Sequence, residues 1–134
     1  RYLMGVGTPW DLVEAVHRGM DMFDCILPTK MAQQGYAYTL RGVLELRRPS
    51  MRLHDGPLEP GCDCYTCGHV SVAYVHHLLR GGHHQGPRFV GIHNVRTYLR
   101  LMARLRDAIT GNRWLEERTA LAAQLPTRLK VPLT

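Results

Sequence analysis

Gly61-Cys62-Asp63-Cys64-Tyr65-Thr66-Cys67-Gly68 places three of the chain's four cysteines within six positions. Adjacent half-cystines in Cys-x-Cys can hardly bridge each other without strain, whereas Cys-x-Cys-x-x-Cys lets three sulfurs converge on one tetrahedral ion. The spacing therefore predicts bound zinc ahead of its alternatives, which are one disulfide beside a free thiol or three reduced core cysteines. A closed zinc site needs a fourth ligand, and the chain offers eight histidines. His93 is the expected one, because Val90-Gly91-Ile92-His93-Asn94 is an apolar tract leading into a periodic helix that gives the ring a fixed platform. The competitors are His69, His76, His77, His83 and His84, the last two in a Gly-Gly-His-His-Gln-Gly stretch that reads as an exposed turn.

Upstream of the cysteines, Arg1 to Val6 reads as a strand ending on glycines. Thr8-Pro9-Trp10-Asp11 then reads as a helix start, with threonine as cap, proline in the first turn and aspartate three residues after the cap. Leu12, Val13, Ala15 and Val16 give that helix an apolar side, and Gly19 ends it. Asp21 to Pro28 follows as a second, nearly continuous apolar strand, so residues 1–28 form a β-α-β unit. Such units are right-handed with parallel strands, and parallel sheets keep their chemistry at the carboxyl ends of the strands. Asp24 is the odd member of the second strand, since a carboxylate buried charged and unpaired between Phe23 and Cys25 would cost several kcal/mol. Either it accepts structural hydrogen bonds at the strand end or it is a catalytic nucleophile or base. The residue pattern leaves both readings open. Cys25, on the opposite face, is expected to pack.

Downstream, 35–40 and 43–47 look like strands joined at Arg41-Gly42, 50–61 is a loop rich in proline and glycine, and Ser71 to Leu79 is a helix. After a turn from Gly81 to Pro87, the longest helix is expected over 94–109, with Val95, Tyr98, Leu99, Met102, Leu105 and Ile109 as its core face. Arg96, Arg100 and Arg104 form a second stripe, which reads as a solvated face or, less commonly, a phosphate track. A last helix over 113–125 precedes an untidy tail. With 134 residues, 45% of them hydrophobic, the chain is the size of one domain and can bury a core. The net charge of +6 is concentrated toward the C-terminal side, where residues 80–118 carry eight arginines. That makes a polyanion a plausible partner alongside an ordinary basic surface. No apolar run reaches membrane-spanning length and no signal-peptide pattern opens the chain, so a reducing cytoplasm is the expected location. The abrupt start, without an initiator methionine and on a strand already under way, reads as a piece of a longer protein.

Four motifs together carry a resemblance. Tyr-Leu-Met-Gly-Val-Gly-Thr-Pro at 2–9, Asp-Met-Phe-Asp-Cys-Ile-Leu-Pro-Thr at 21–29, Cys-Asp-Cys-Tyr-Thr-Cys at 62–67 and Ile-His-Asn at 92–94 resemble the bacterial tRNA-guanine transglycosylase family, in the family's order up to about residue 110. The resemblance implies an α/β fold, the C-terminal part of a (β/α)8 barrel with an inserted zinc-binding α+β subdomain. It divides the chain into a last β-α-β unit at 1–28, the zinc insertion with its hairpin and helix at 29–93, and C-terminal helices at 94–134 packing back on the barrel. It implies a pentosyltransferase of queuosine biosynthesis that exchanges guanine at the tRNA wobble position for a 7-deazaguanine such as preQ1.

The residue matching the family's nucleophile is Asp24, and one structural Zn2+ per chain is held by Cys62, Cys64, Cys67 and His93. RNA contacts are implied for Gly5, Val6, Gly7, Thr8, Pro9, Trp10 and Asp11, where glycines permit close approach and Thr8 or the helix N-terminus could meet a phosphate. They are implied also for Thr29, Lys30, Met31, Ala32 and Gln33, and a base pocket for Tyr2 and Met4, for which plain strand packing is the alternative. The sequence departs from the family's Pro-Thr-Arg-x-Ala-Arg-Asn-Gly, having Pro-Thr-Lys-Met-Ala-Gln-Gln-Gly at 28–35. Lys30 keeps the charge without the planar fork, and Gln33 loses it. The family's second catalytic aspartate and its guanine-recognition residues match nothing within these residues, so the piece alone is expected to be inactive. The implied partners are tRNA, the exchanged base and a second copy in a homodimer, with no membrane. Other readings are a non-catalytic zinc module binding RNA, or a relative acting on DNA or other tRNA sites.

Overall fold

The computed structural model describes residues 1–134 as a mixed α/β structure. Strand β1 (Tyr2–Leu3), helix α1 (Pro9–His17) and strand β2 (Met22–Phe23) form the expected β-α-β unit, with Tyr2 beside Met22 and Leu3 beside Phe23 in parallel register. Helix α1 starts as the sequence dictates: Thr8 Oγ1 accepts from the Asp11 amide (3.2 Å) and the Asp11 carboxylate accepts from the Thr8 amide (2.8 Å). Such a cap stabilises a helix by about 1 kcal/mol. Both strands are shorter than expected. Beyond Phe23 the chain bends into α2 (Leu27–Gln33), because Pro28 falls in the first turn, where its missing N–H costs nothing.

Strands β3 (Tyr36–Thr39) and β4 (Gly42–Glu45) pair antiparallel, the connection being Leu40-Arg41, with Gly42 already in the ladder. A single 3-10 turn (Pro49–Met51) interrupts the loop that follows. Helices α3 (Tyr65–His69), α4 (Val72–Arg80), α5 (Gln85–Thr110) and α6 (Trp114–Gln124) complete the helical set. The tail is ordered into β5 (Arg128–Leu129), which pairs parallel with Val43 and Leu44 of β4. Gly42 permits this approach: at φ 137° it has no side chain, and a Cβ there would lie 2.5 Å from the Thr127 carbonyl oxygen.

Helix α5 is the spine, 26 residues and so about 39 Å long at 1.5 Å per residue. It begins at Gln85, well before the expected 94. Pro87 sits in the first turn, where no N–H is needed, and Gly86 packs against α4, where a Cβ would come within 3.1 Å of the Leu79 amide. Its core face also differs from the expected one. Tyr98 and Leu105 are buried, but Val95, Leu99 and Ile109 are 45%, 56% and 55% exposed. The face turned inward runs through Val90, His93, Asn94, Thr97, Tyr98, Leu101, Leu105 and Ala108, and three of those are polar, which a search for apolar repeats passes over. Three buried clusters line this spine. One gathers Leu44, Leu46, Met51, Leu58, Val72, Val75 and Leu79 around Val90; a second joins Val13, Leu121 and Leu125 to Leu101 and Leu105; a small third sets Leu12 and Val43 against Tyr38 and Tyr98. No helix is long and apolar enough to cross a membrane.

Candidate metal centre and active-site carboxylate

Cys62 and Cys64 lie in the loop before α3, and the Cys64 sulfur caps that helix by accepting from the Cys67 amide at 3.3 Å. This short helix, absent from the sequence reading, folds Cys67 back toward the other two sulfurs. His93 reaches them from α5, its Nδ1 lying 3.6, 3.5 and 3.4 Å from the sulfurs of Cys62, Cys64 and Cys67. All four ligand atoms lie within 4.8 Å of one another. Zinc bonds of ~2.3 Å to sulfur and ~2.0 Å to nitrogen at the tetrahedral angle give a nitrogen-sulfur edge of roughly 3.6 Å. The donor set and its spacing thus fit a structural zinc.

The imidazole is held for this task. His93 is fully buried, and its Nε2–H donates to the Tyr38 carbonyl at 2.8 Å, which leaves the Nδ1 lone pair facing the sulfurs. Asn94 locks the same turn, accepting from the Tyr38 amide (2.8 Å) and donating to the carbonyls of Pro28 (2.9 Å) and Tyr36 (3.1 Å). The competing histidines are elsewhere: His76 Nδ1 faces the Leu46 carbonyl at 2.7 Å and His69 Nδ1 the Tyr65 carbonyl at 2.8 Å. Charge in the cluster favours a cation. The hydrogen bond between their sulfurs draws Cys64 down toward thiolate and pushes Cys67 up. Burial opposes charge on His93, yet the sulfurs of Cys62 and Cys64 raise its pKa to about 9, so without an ion a proton sits on Nδ1 in the place that a metal cation would take.

The arginine stripe of α5 is neither bare nor free. Arg96 forks onto Asp63 at 2.7 and 2.8 Å, Arg100 meets the buried Glu59 at 2.8 Å, and Arg104 pairs with Glu117. Glu59 also accepts from the Leu40 amide at 3.0 Å, so it buckles the β3–β4 turn to α5. The stripe is thus a row of three ion pairs whose carboxylates come from other parts of the chain, with the Arg96–Asp63 pair still open to solvent as a solvated face would have it.

Asp24 follows β2 immediately, at the carboxyl end of both parallel strands, and is exposed rather than buried. Its Oδ1 accepts from the Tyr2 hydroxyl (2.6 Å) and the Gly5 amide (3.2 Å). These two donors, Tyr2 first, hold its carboxyl below the usual carboxylate range, so it is ionised at neutral pH. Cys25 turns the other way and packs, its sulfur 3.6 Å from the Gly7 carbonyl. Tyr98 supports the same carbonyl at 2.9 Å; burial pushes its phenol far up, which keeps it a proton donor. That strut was not foreseen from sequence, where Tyr98 is one more core position. Exposed apolar side chains occur at nearby positions of the chain, Tyr2 51%, Met4 73%, Met22 60% and Ile26 70%, beside the exposed Arg1–Asp21 ion pair.

The remaining expected contacts divide. The Thr8 hydroxyl donates to Asp11 at 2.7 Å, so it is already engaged, while Pro9 is buried and Trp10 packs beneath Arg118, whose guanidinium lies 5.9 Å from the ring centroid. Gly5 is exposed and Val6 and Gly7 half-buried. In α2, Thr29, Lys30 and Gln33 face outward, whereas Ala32 is in the core and Met31 packs against the Tyr38–Tyr98 cluster. Thr29 and Gln33 line a cleft of about 870 Å³ with His84, Arg88 and Ile92.

Comparison with known proteins extends these observations. Residues 1–127 match the family described as queuine tRNA-ribosyltransferase. The queuine tRNA-ribosyltransferase of Nitrosomonas eutropha is 54% identical over 109 residues, which cover 81% of this chain and 30% of that protein. That of Nitrosospira multiformis is 50% identical over 124 residues, covering 92% of this chain and 34% of the relative, and that of Thiobacillus denitrificans is 50% identical over 116, covering 87% and 32%. The chain thus spans about a third of the length of the curated relatives it matches. With nearly all of its residues matched, the chain belongs to the queuine tRNA-ribosyltransferase family.

Proposed function

We infer that this chain is the nucleophile-bearing, zinc-binding portion of a tRNA-guanine transglycosylase. The observation that carries the reading is Asp24: ionised, accessible, and fixed by Tyr2 and Gly5 at the carboxyl end of a parallel strand pair. That is where parallel α/β enzymes do chemistry. In this reading residues 1–28 are the last β-α-β unit of a (β/α)8 barrel, 29–93 the zinc-binding insertion and 94–134 helices packing back on the barrel. The exposed apolar side chains of Tyr2, Met4, Met22 and Ile26 suit a face that further strands cover.

A carboxylate is nucleophilic without prior deprotonation. Asp24 attacks the ribose C1′ of the wobble guanosine; the C1′–N9 bond breaks, guanine leaves with a proton from a second acid, and an aspartyl-ribosyl ester forms. A 7-deazaguanine such as preQ1, deprotonated at N9 by the same group, then displaces the carboxylate from C1′. Two displacements give retention, as in a retaining glycosidase with a base in place of water. The second acid and the guanine-recognition groups belong to the remainder of the full-length enzyme, so these 134 residues alone are inactive. Cys62, Cys64, Cys67 and His93 would hold one Zn2+ whose contribution is structural, tying the loop before α3 to the spine. The base pocket draws on Tyr2 and Met4, and the RNA lies over the Gly5–Asp11 loop and the outward residues Thr29, Lys30 and Gln33. Partners are tRNA, guanine or preQ1 and a second copy, in the cytoplasm.

The test incubates full-length protein with tRNA and labelled guanine and resolves products on a denaturing gel. Wild type is expected to show an RNA-protein adduct and base exchange, and Asp24→Asn to bind tRNA and show neither. Near-native exchange by Asp24→Asn would remove Asp24 from the role.

A further inference from the structure

A cleft of about 480 Å³ opens between the residues that follow β4, the 3-10 turn and α4. Arg47, Arg52 and Arg80 line it together with His76 and His77, and no carboxylate does. This contrasts with Arg96, Arg100 and Arg104 of α5, each of which has found an acidic partner. Arg52 and Arg80 make neither an ion pair nor a side-chain hydrogen bond. Arg47 spends one of its five N–H groups on the Leu79 carbonyl (3.0 Å), which fixes its head at the rim and leaves the rest free. His76 is buried, and because its Nδ1–H donates to the Leu46 carbonyl, Nε2 is the nitrogen left for the cleft. Gathering three guanidinium groups in one concavity without a counter-charge is unfavourable, and the arrangement is relieved by an anion with several acceptor oxygens. Guanidinium forks match phosphate geometry and tolerate partial desolvation better than ammonium groups.

We propose that this cleft is a phosphate-binding site, and, on the functional reading above, that the phosphate it takes is one of the tRNA backbone. The residues are distinct from the metal ligands and from Asp24, so the site adds affinity and orientation without entering the chemistry. Full-length Arg52→Gln/Arg80→Gln is compared with a control of equal charge loss, Arg106→Gln/Arg113→Gln. The first is expected to bind tRNA more weakly and with a slope of log affinity against log salt shallower by roughly one per lost phosphate contact. In a second arm, inorganic phosphate is titrated into each protein while the imidazole resonances of His76 and His77 are followed by NMR, with chloride as the comparison salt. Phosphate-specific shifts in wild type and the control, absent from Arg52→Gln/Arg80→Gln, are expected. If those shifts appear but both double variants bind tRNA equally, the occupant is free phosphate and the RNA assignment falls. If phosphate acts no differently from chloride, the cleft is a solvated basic surface and the proposal is overturned. Failure of the wild type to bind tRNA or exchange bases would defeat the functional reading, and the NMR arm would still decide the cleft.

Discussion

The cysteine cluster and the Asp24 corner are built on opposite plans. At the cluster every group is met from inside the chain: sulfurs from the loop before α3, an imidazole from α5, a carbonyl from β3 behind the imidazole, and Arg96–Asp63 and Arg100–Glu59 closing the rim. At Asp24 the carboxylate is held by two donors, Tyr2 and the Gly5 amide, and is otherwise exposed. On the function proposed above, the first is a closed site that needs only an ion, and the second is half of a reactive site, arranged to receive something.

The largest effect expected follows from the closed plan. If zinc ties α3 to α5, purified reduced protein carries one zinc per chain by metal analysis, and His93→Ala or Cys64→Ser loses it. Structural zinc sites contribute on the order of 10 kcal/mol of binding free energy to folding. A chelator should therefore raise amide exchange across residues 35–100 before it affects the β-α-β unit at 1–28. A stoichiometry near zero, or full retention by His93→Ala, would erase the contrast between the two regions.

A smaller effect probes the rim. Arg100→Gln leaves Glu59 buried with the Leu40 amide as its remaining partner. Stripping one member from a buried ion pair costs about 3 kcal/mol, whereas replacing both with apolar groups is often close to neutral. The urea midpoint of Arg100→Gln is thus expected to fall well below wild type, and that of Arg100→Met/Glu59→Met to recover most of the difference. Equal losses in the two variants would mean that the buckle is not electrostatic.

What the sequence disclosed, and what it withheld, divides along range. Cys62, Cys64 and Cys67, the Thr8–Asp11 capping box and the β-α-β unit are short-range patterns, and each is readable because neighbours in sequence are the interacting parties. His93 was legible as well, being a histidine on a rigid helix at zinc spacing. The partners of Arg96 and Arg100 lie 33 and 41 positions away, and nothing local announces Asp63 or Glu59 as their carboxylates. The core face of α5 differs from the expected one because His93, Asn94 and Thr97 point inward to bond the Tyr38 backbone of β3, so polar side chains occupy positions where an apolar stripe was expected. The pairing of β5 with β4 depended on Gly42 admitting the Thr127 carbonyl, a steric fact invisible in a tail without periodicity. Asp24 stood out as a carboxylate in an apolar run, but its exposure and its Tyr2 partner came only from the parallel register that sets β1 beside β2.

That register supplies the subtlest test of the open plan. Tyr2 donates to Asp24 and, ahead of the Gly5 amide, holds its carboxyl below the ordinary value, while Asp24 in turn raises the Tyr2 phenol. A depressed folded-state pKa means that folding favours the ionised form. The interaction contributes in full above the unfolded pKa and fades as pH falls through the folded one. Tyr2→Phe keeps the ring beside Met22 and removes only the hydroxyl, so the Asp24 pKa should rise toward the ordinary carboxylate value with Gly5 as its remaining donor. In base exchange by the full-length enzyme, the acid limb of the pH-rate profile is then expected to move to higher pH, with tRNA affinity at neutral pH unchanged. A limb that stays in place, with a rate lowered uniformly at every pH, would mean that Tyr2 positions the base or the backbone rather than tuning the carboxylate.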